Sequence, residues 1–378
     1  MIVRRRVQHT VVVPVENGPS PASNGKIIDQ HDRSSYLAGA DFLNESNLDA
    51  VSIQHEFGIF GGECGEYILD LCRNLESPFI TTFHSVIMKP NQKTLEVVRE
   101  ISHMSMNVVV TLESAKKLLK EDYGVAREKI RVIPHGATIP EQRKRSYARQ
   151  RLHLRNRTVL MTTGLINPGK GKEHAITSLS NLLKQWPNIL YLVIGQTHPE
   201  VRKREGETYR NKLKALVKRL KLDRNVRFVD EYLPTTELSL YMQAADIYIA
   251  PYVGRDQVSS GTITFALTHG KAIVSTPTIF ADEALSHGRG LLCNFGDEYS
   301  IAKCIQRILG DRKLRRGLEA NASKYGQNLA WGKVADEYAN LFRFAKRLPA
   351  PVTKTSRPSE TSPHRRCQTP AKNRLLHS

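Results

Sequence analysis

Short apolar runs alternate with amphipathic stretches of helical length along most of this chain. In the first part, Ala50–Ile53, Phe79–Phe83, Asn107–Thr111 and Ile130–Ile133 read as strands. Helices from about Glu66 to Leu75, Thr94 to His103 and Ser114 to Asp122 fall between them. Runs this short, rich in Val, Ile and Thr and without polar alternation, suit strands buried on both faces of a parallel sheet. Upstream, a β-branched run at Thr10–Val13 predicts one more strand, and a helical pattern starts at Tyr36. The alternation stops over Ala137–Arg157, a polar and basic stretch that reads as a linker. It restarts with strands at Val159–Thr163, Leu190–Ile194, Val226–Val229, Ile247–Ala250, Ala272–Val274 and Leu291–Cys293. Helices are expected at Glu173–Gln185, Tyr209–Leu220, Thr236–Ala244, Ser260–His269 and Ser300–Leu309. Strand–helix alternation, twice over, predicts two α/β domains with parallel sheets, over residues 1–145 and 157–330. A last helix is expected at 331–347, and 348–378, rich in Pro, Ser and Thr, reads as a disordered basic tail.

Composition narrows the function classes. With 378 residues the chain suits two cores. No apolar run approaches the ~20 residues of a membrane helix, and Met1–Arg6 has charge but no apolar stretch behind it, unlike a secretory signal. The cysteines, Cys64, Cys72, Cys293, Cys304 and Cys367, are scattered and form no Cys-x-x-Cys pair, which favours free thiols in the cytoplasm. A net charge of +19 attracts phosphates, nucleic acid or an anionic membrane face without choosing among them. No aromatic–basic interleaving or known module supports nucleic acid, and none is expected as a partner. On the Tyr209–Leu220 helix, Leu213, Leu216, Val217 and Leu220 form one stripe; the opposite lysines, Lys212 among them, read as a solvated face.

The chemistry-bearing residues sit where parallel strands end, which is where α/β sheets bind ligands. Ser259-Ser260-Gly261-Thr262 opens a helix after the strand at Ile247–Ala250. Its free N–H groups, two hydroxyls and a bare glycine suit a phosphate, although the same residues serve as an ordinary N-cap in many helices. Thr163-Gly-Leu-Ile-Asn-Pro-Gly-Lys-Gly171 offers glycines for a tight turn and Lys170 to neutralise a diphosphate, in the place of a metal ion. It lacks the Ser or Thr of a Walker A loop. His55, His84 and His135 follow strands but lack metal-ligand spacing, and there is no Gly-x-Ser-x-Gly elbow. Loops rich in Gly, His and hydroxyls from both halves point to one cleft between two domains.

From Asp49 to about Lys346 the chain resembles the family 4 glycosyltransferases, through Thr163–Gly171, Val132-Ile-Pro-His-Gly136 and the stretch from Gln257 to Pro277. The resemblance implies the GT-B fold, two Rossmann-like domains facing a central cleft, with the last helix returning to the first domain. It implies a retaining enzyme that moves a hexose from a nucleotide-diphosphate sugar to a glycan, lipid-linked or small-molecule acceptor, with no cofactor and no required metal. His84, Lys170 and Gln257 take the catalytic places. Gly164, Gly171, Ser259, Ser260, Gly261 and Thr262 hold the donor. His55, Glu56, Gly62 and His135 lie on the acceptor side. Lipid-linked acceptors, common in the family, make a peripheral position on the inner membrane face part of the expectation.

Three departures from the family pattern stand out. Its two glutamates are replaced by Gln257 and Phe265, with Glu283 the expected substitute at the ribose. Its arginine is replaced by Leu165 or Ile166. No glycine loop is evident over Met1–Tyr36, so the first strand–loop–helix unit is expected to be missing or divergent. A sugar-nucleotide-binding protein without turnover is therefore the alternative reading.

Overall fold

The computed structural model describes residues 15–16, 27–141 and 143–345. The run at Thr10–Val13 and the tail at 348–378 lie outside them. A short parallel pair, β1 (Val15–Glu16) and β2 (Ile28–Asp29), leads into α1 (Arg33–Glu45), which Asp32 caps by accepting from the Ser34 N–H. Then follow β3 (Val51–His55), α2 (Ile68–Asn74), β4 (Phe79–Phe83), α3 (Gln92–Met104), β5 (Asn107–Val110), α4 (Glu113–Glu121) and β6 (Ile130–Val132). The strands form a parallel sheet in the order β3-β4-β5-β6. All residues of β4 and β5 are buried, as their unbroken β-branched and aromatic runs require.

The basic stretch read as a linker contains a helix, α5 (Arg145–Arg151). The second half runs β7 (Thr158–Thr163), α6 (Lys172–Ser178), β8 (Ile189–Ile194), α7 (Pro199–Glu205), α8 (Thr208–Arg219), β9 (Val226–Val229), α9 (Thr235–Ala244) and β10 (Ile247–Ala250). It closes with α10 (Gly261–Thr268), β11 (Ala272–Ser275), α11 (Ile279–Ala284), β12 (Leu291–Leu292), α12 (Glu298–Gly310), α13 (Arg312–Gly326) and α14 (Trp331–Ala345). The sheet is parallel, in the order β12-β11-β10-β7-β8-β9. Chain order reverses between β7 and β10, so a crevice opens beyond their carboxyl ends.

Among the contacts that tie the halves together, two stand out. Val334 and Leu341 of α14 cover Ile80, Val109 and Ile133 on the first sheet, and the Tyr338 hydroxyl lies 3.0 Å from Thr82 Oγ1. The Glu283 carboxylate on α11 reaches the start of α4, accepting from the N–H groups of Glu113 and Ser114 at 3.0 and 2.8 Å and from the Ser114 hydroxyl at 2.5 Å.

Candidate active site

The helix that leaves the switch point is α10. Ser260 caps it, its Oγ accepting from Ile263 N–H at 3.3 Å. The N–H groups of Gly261 and Thr262 are among those a helix leaves without internal partners, and both residues line the cleft. A Cβ on Gly261 would have His135 as its nearest neighbour, at 3.6 Å, so the glycine faces open space rather than packed chain. Beside it, the Tyr252 hydroxyl lies 2.9 Å from Ser260 Oγ and 3.0 Å from Thr262 Oγ1. The Lys170 ammonium sits over the Tyr252 ring, 4.6 Å from its centroid. The tyrosine thus joins the lysine after β7 to the helix start after β10. Across from them, Gly164 turns the chain out of β7 at φ +113°, and a Cβ there would meet the Thr262 methyl at 3.2 Å. The cleft has a volume of about 450 Å³, within the range of small-ligand sites.

The first sheet supplies the opposite wall. His84, at the end of β4, accepts at its backbone carbonyl from the Ser259 hydroxyl at 2.8 Å. Its Nε2 lies 2.8 Å from Gln54 Oε1. The Gln54 amide nitrogen donates to Ser52 at 2.9 Å, so Oε1 is the acceptor and His84 Nε2 the donor, which leaves Nδ1 with its lone pair. Burial, then the nearby His135, hold the His84 pKa below its ordinary value, so the ring is neutral at pH 7. His135 Nδ1 lies 2.8 Å from the Gly136 carbonyl and its ring borders Gly261, so it stands at the donor helix as well as on the first domain's side. Glu56 hydrogen-bonds the Ser85 hydroxyl, and burial raises its pKa against that bond.

Four expected positions lie elsewhere. His55 is fully buried among Phe57, Phe60 and Phe83, its ring nitrogens without partners, and burial pushes its pKa to about 4. It is a core side chain that touches no cleft. Glu283 is not among the residues that line the cleft, and both its oxygens serve the start of α4. Gly171 packs against the end of β10: a Cβ there would lie 2.0 Å from the Pro251 carbonyl. Gly62 turns at φ +81° against the Tyr67 ring. Phe265 does line the cleft, with its ring 4.1 Å from that of His269. The residues that sequence reasoning passed over are Tyr252, Trp331, Glu231 and Tyr232. A strand-end position after Pro251 was the available signal for Tyr252. Trp331, whose ring excludes any side chain at Gly136, gave none.

Comparisons with known proteins match both halves. Residues 144–325 fit the family model described as glycosyl transferases group 1, and residues 2–139 fit that of glycosyltransferase family 4. A phosphatidyl-myo-inositol mannosyltransferase of Mycolicibacterium smegmatis is 26% identical over 188 residues, covering 49% of this chain and 45% of that protein. A D-inositol 3-phosphate glycosyltransferase of Nocardia farcinica is 26% identical over 253 residues, covering 64% and 52%. The chain spans about half the length of these curated relatives. Among solved structures, HepE of Anabaena in complex with UDP superposes with a TM-score of 0.69 at 17% identity, over 85% of this chain and 86% of that one. Sucrose-phosphate synthase of Thermosynechococcus elongatus gives 0.67 at 19%, over 82% and 78%. At such identities the likeness speaks to the fold, two Rossmann-like domains about a cleft.

Proposed function

The chain belongs to the family 4 glycosyltransferases, and from this premise and the cleft we propose that it moves a hexose from a nucleotide-diphosphate sugar to a glycan, lipid-linked or small-molecule acceptor, with retention at the anomeric carbon. The observation that carries the reading is the placement of Lys170 and Tyr252 against the α10 N-terminus, whose Gly261 and Thr262 line the switch-point crevice. As the bond from the anomeric carbon to the phosphate oxygen breaks, negative charge grows on the leaving diphosphate. A lysine and preorganised N–H donors stabilise that charge more in the transition state than in the ground state. His84, neutral and with Nδ1 free to accept, holds a donor-sugar hydroxyl. The solved complexes of HepE contain UDP and UDP-glucose, which supports a sugar nucleotide as donor here. Because Lys170 and the helix end carry the phosphate charge, transfer is expected to persist in EDTA. Strict dependence on Mg²⁺ or Mn²⁺ would refute that.

A second reading, donor binding without turnover, is favoured by Gln257, Phe265 and Leu165 or Ile166 standing where the family has charged side chains. A thermal-shift screen against nucleotide sugars tests both, because a ligand of the native state raises the melting temperature by mass action. A shift together with a glycosylated product supports transfer. A shift with no product, across glycan, inositol-phosphate and lipid acceptors, supports the binder, and no shift with any donor removes both. Among the described residues no helix is long and apolar enough to cross a membrane. Contact of the basic surface with an anionic membrane face belongs to the proposal, and co-sedimentation with anionic vesicles measures it.

A further inference from the structure

The far end of the same cleft carries an unused charge. A diphosphate at the α10 N-terminus and the β7 loop leaves the nucleoside to run along the strand ends. The cleft wall continues in one direction, through Gly195 and Gln196 after β8 to Glu231 and Tyr232 after β9. Neighbouring strands lie ~4.8 Å apart, which puts β9 about 10 Å from β7. Gly195 has φ +134°, and a Cβ on it would come within 2.4 Å of the Gly164 carbonyl, so the two loops meet with no side chain between them. That bare interval opposite β8 suits the ribose, and the base comes to the end of β9.

There the wall changes character. Glu231 is the sole carboxylate among the described residues that line the cleft. It forms no ion pair or hydrogen bond with them, whereas its neighbour Asp230 is tied to Arg210 and Lys214. Tyr232 beside it is 80% exposed, an aromatic face at the cleft mouth, and such faces stack on bases. A carboxylate offers acceptors only. Guanine presents two adjacent donors on its Watson–Crick edge, N1–H and the 2-amino group. Uracil presents one N–H between two carbonyl oxygens, and adenine one amino group beside an acceptor nitrogen. A carboxylate therefore pairs twice with guanine and meets repelling oxygens on uracil.

We propose that Glu231 reads the base of the donor, and that the donor is a guanosine diphosphate sugar. The proposal rests on the sugar-nucleotide reading above. The test is calorimetric titration of the full chain with GDP, IDP, UDP, ADP and pyrophosphate, in the wild type and in Glu231→Ala and Glu231→Gln. Bidentate pairs between a side chain and a base discriminate by roughly ten- to a hundredfold. The wild type should therefore bind GDP at least about tenfold more tightly than UDP or ADP. IDP, which keeps N1–H and lacks the 2-amino group, should fall between. Glu231→Ala should bring the four nucleotides together and leave pyrophosphate affinity unchanged, and Glu231→Gln should lose most of the preference. Equal binding of GDP and UDP by the wild type, or a GDP preference intact in Glu231→Ala, overturns the assignment while leaving the sugar-nucleotide reading in place. Failure of every nucleoside diphosphate to bind overturns both. Glu231 has no partner to lose, so matching melting temperatures are expected to show that the variants fold.

Discussion

On the proposed reading, replacing Lys170 with Ala takes a full positive charge from the point where the leaving diphosphate gathers its own. Loss of one preorganised donor of this kind costs ~2.7–4 kcal/mol, roughly 10²–10³ in turnover. Gln257→Ala should lose the neutral hydrogen bonds expected to donor-sugar hydroxyls, worth about 0.5–1.5 kcal/mol each, so kcat should fall less and discrimination among donor sugars should blur. Gly261→Val should abolish donor binding with little change in melting temperature, since its first atom meets only the His135 ring, at 3.6 Å. Lys212→Ala, on an exposed position of α8, is the control and should leave kcat and KM unchanged. A second lysine gives a pH test. Lys172 is fully buried with no partner for its nitrogen, and burial, then the charge of Lys170, bring its pKa down to about 7. The unfolded value is ~10.4. Between these pH values the unfolded chain binds the extra proton, so Lys172 makes stability rise from pH 7 to 10, with the full penalty below 7. Lys172→Met should raise the melting temperature at pH 6.5 and flatten that rise. The α10 start, and Lys170 in the loop after β7, were legible in the sequence as strand-end positions, because glycines and hydroxyls mark where a strand ends and a helix begins. Tyr252 and Lys172 were not, because a tyrosine or lysine reads the same way whether it faces solvent, a ligand or a core.

At the scale of elements, α5 and α13 show what hydrophobic period cannot report. The stretch around Arg145 and Arg149 reads as a solvated linker because it is basic, yet both arginines turn inward to one carboxylate. Asp246, just before β10, is paired with Arg149, with Arg315 at 2.7 Å and with Arg145 at 3.5 Å, and it accepts from the Val159 N–H at 2.7 Å. Arg145 and Arg315 also hold Glu319, at 2.7 and 3.1 Å. This cluster pins α5 and α13 to the sheet. The α13 sequence hides its role, since Leu314, Leu318 and Ala322 make only a narrow apolar stripe among charges. Burial alone would raise the Asp246 pKa, but Arg315 and Arg149 overcome it and hold the carboxyl below the ordinary range. The stabilisation is therefore present above pH ~4 and lost as pH falls through the lower folded value. Asp246→Ala leaves three guanidinium groups around an empty place and should cost about 3–5 kcal/mol, read as a drop in the denaturation midpoint at pH 7 that narrows toward pH 3. The buried strands of the two main sheets, by contrast, were legible, because six residues in a row such as Ile189–Ile194 have few other fates, whereas the short β2 in its polar surroundings was not.

For the whole molecule, the sequence pattern carried the two sheets but not how they face each other, because that depends on single contacts between residues far apart in the chain. The Glu283 carboxylate at the α4 start is one such clasp. Hydrogen bonds to a charged group contribute about 1.5–3 kcal/mol each, and three of them cross the cleft here. Glu283→Ala should let the domains separate, with a larger radius of gyration in small-angle scattering and a higher KM for donor. An unchanged radius would assign the closed arrangement to α14 and the Ser259–His84 and Thr111–Val258 bonds. That helix also imposes a timetable. Thr82 and its partner Tyr338 are 256 residues apart, and ribosomes add ~5–20 residues per second, so the first sheet waits roughly 13–50 s for its cover. During that interval Ile80, Val109 and Ile133 form a bare strip on a nascent chain whose remaining strands are already out. A polypeptide released before Trp331 would keep the strip bare for good, and it should bind a hydrophobic dye and trigger-type holdases that the finished protein ignores.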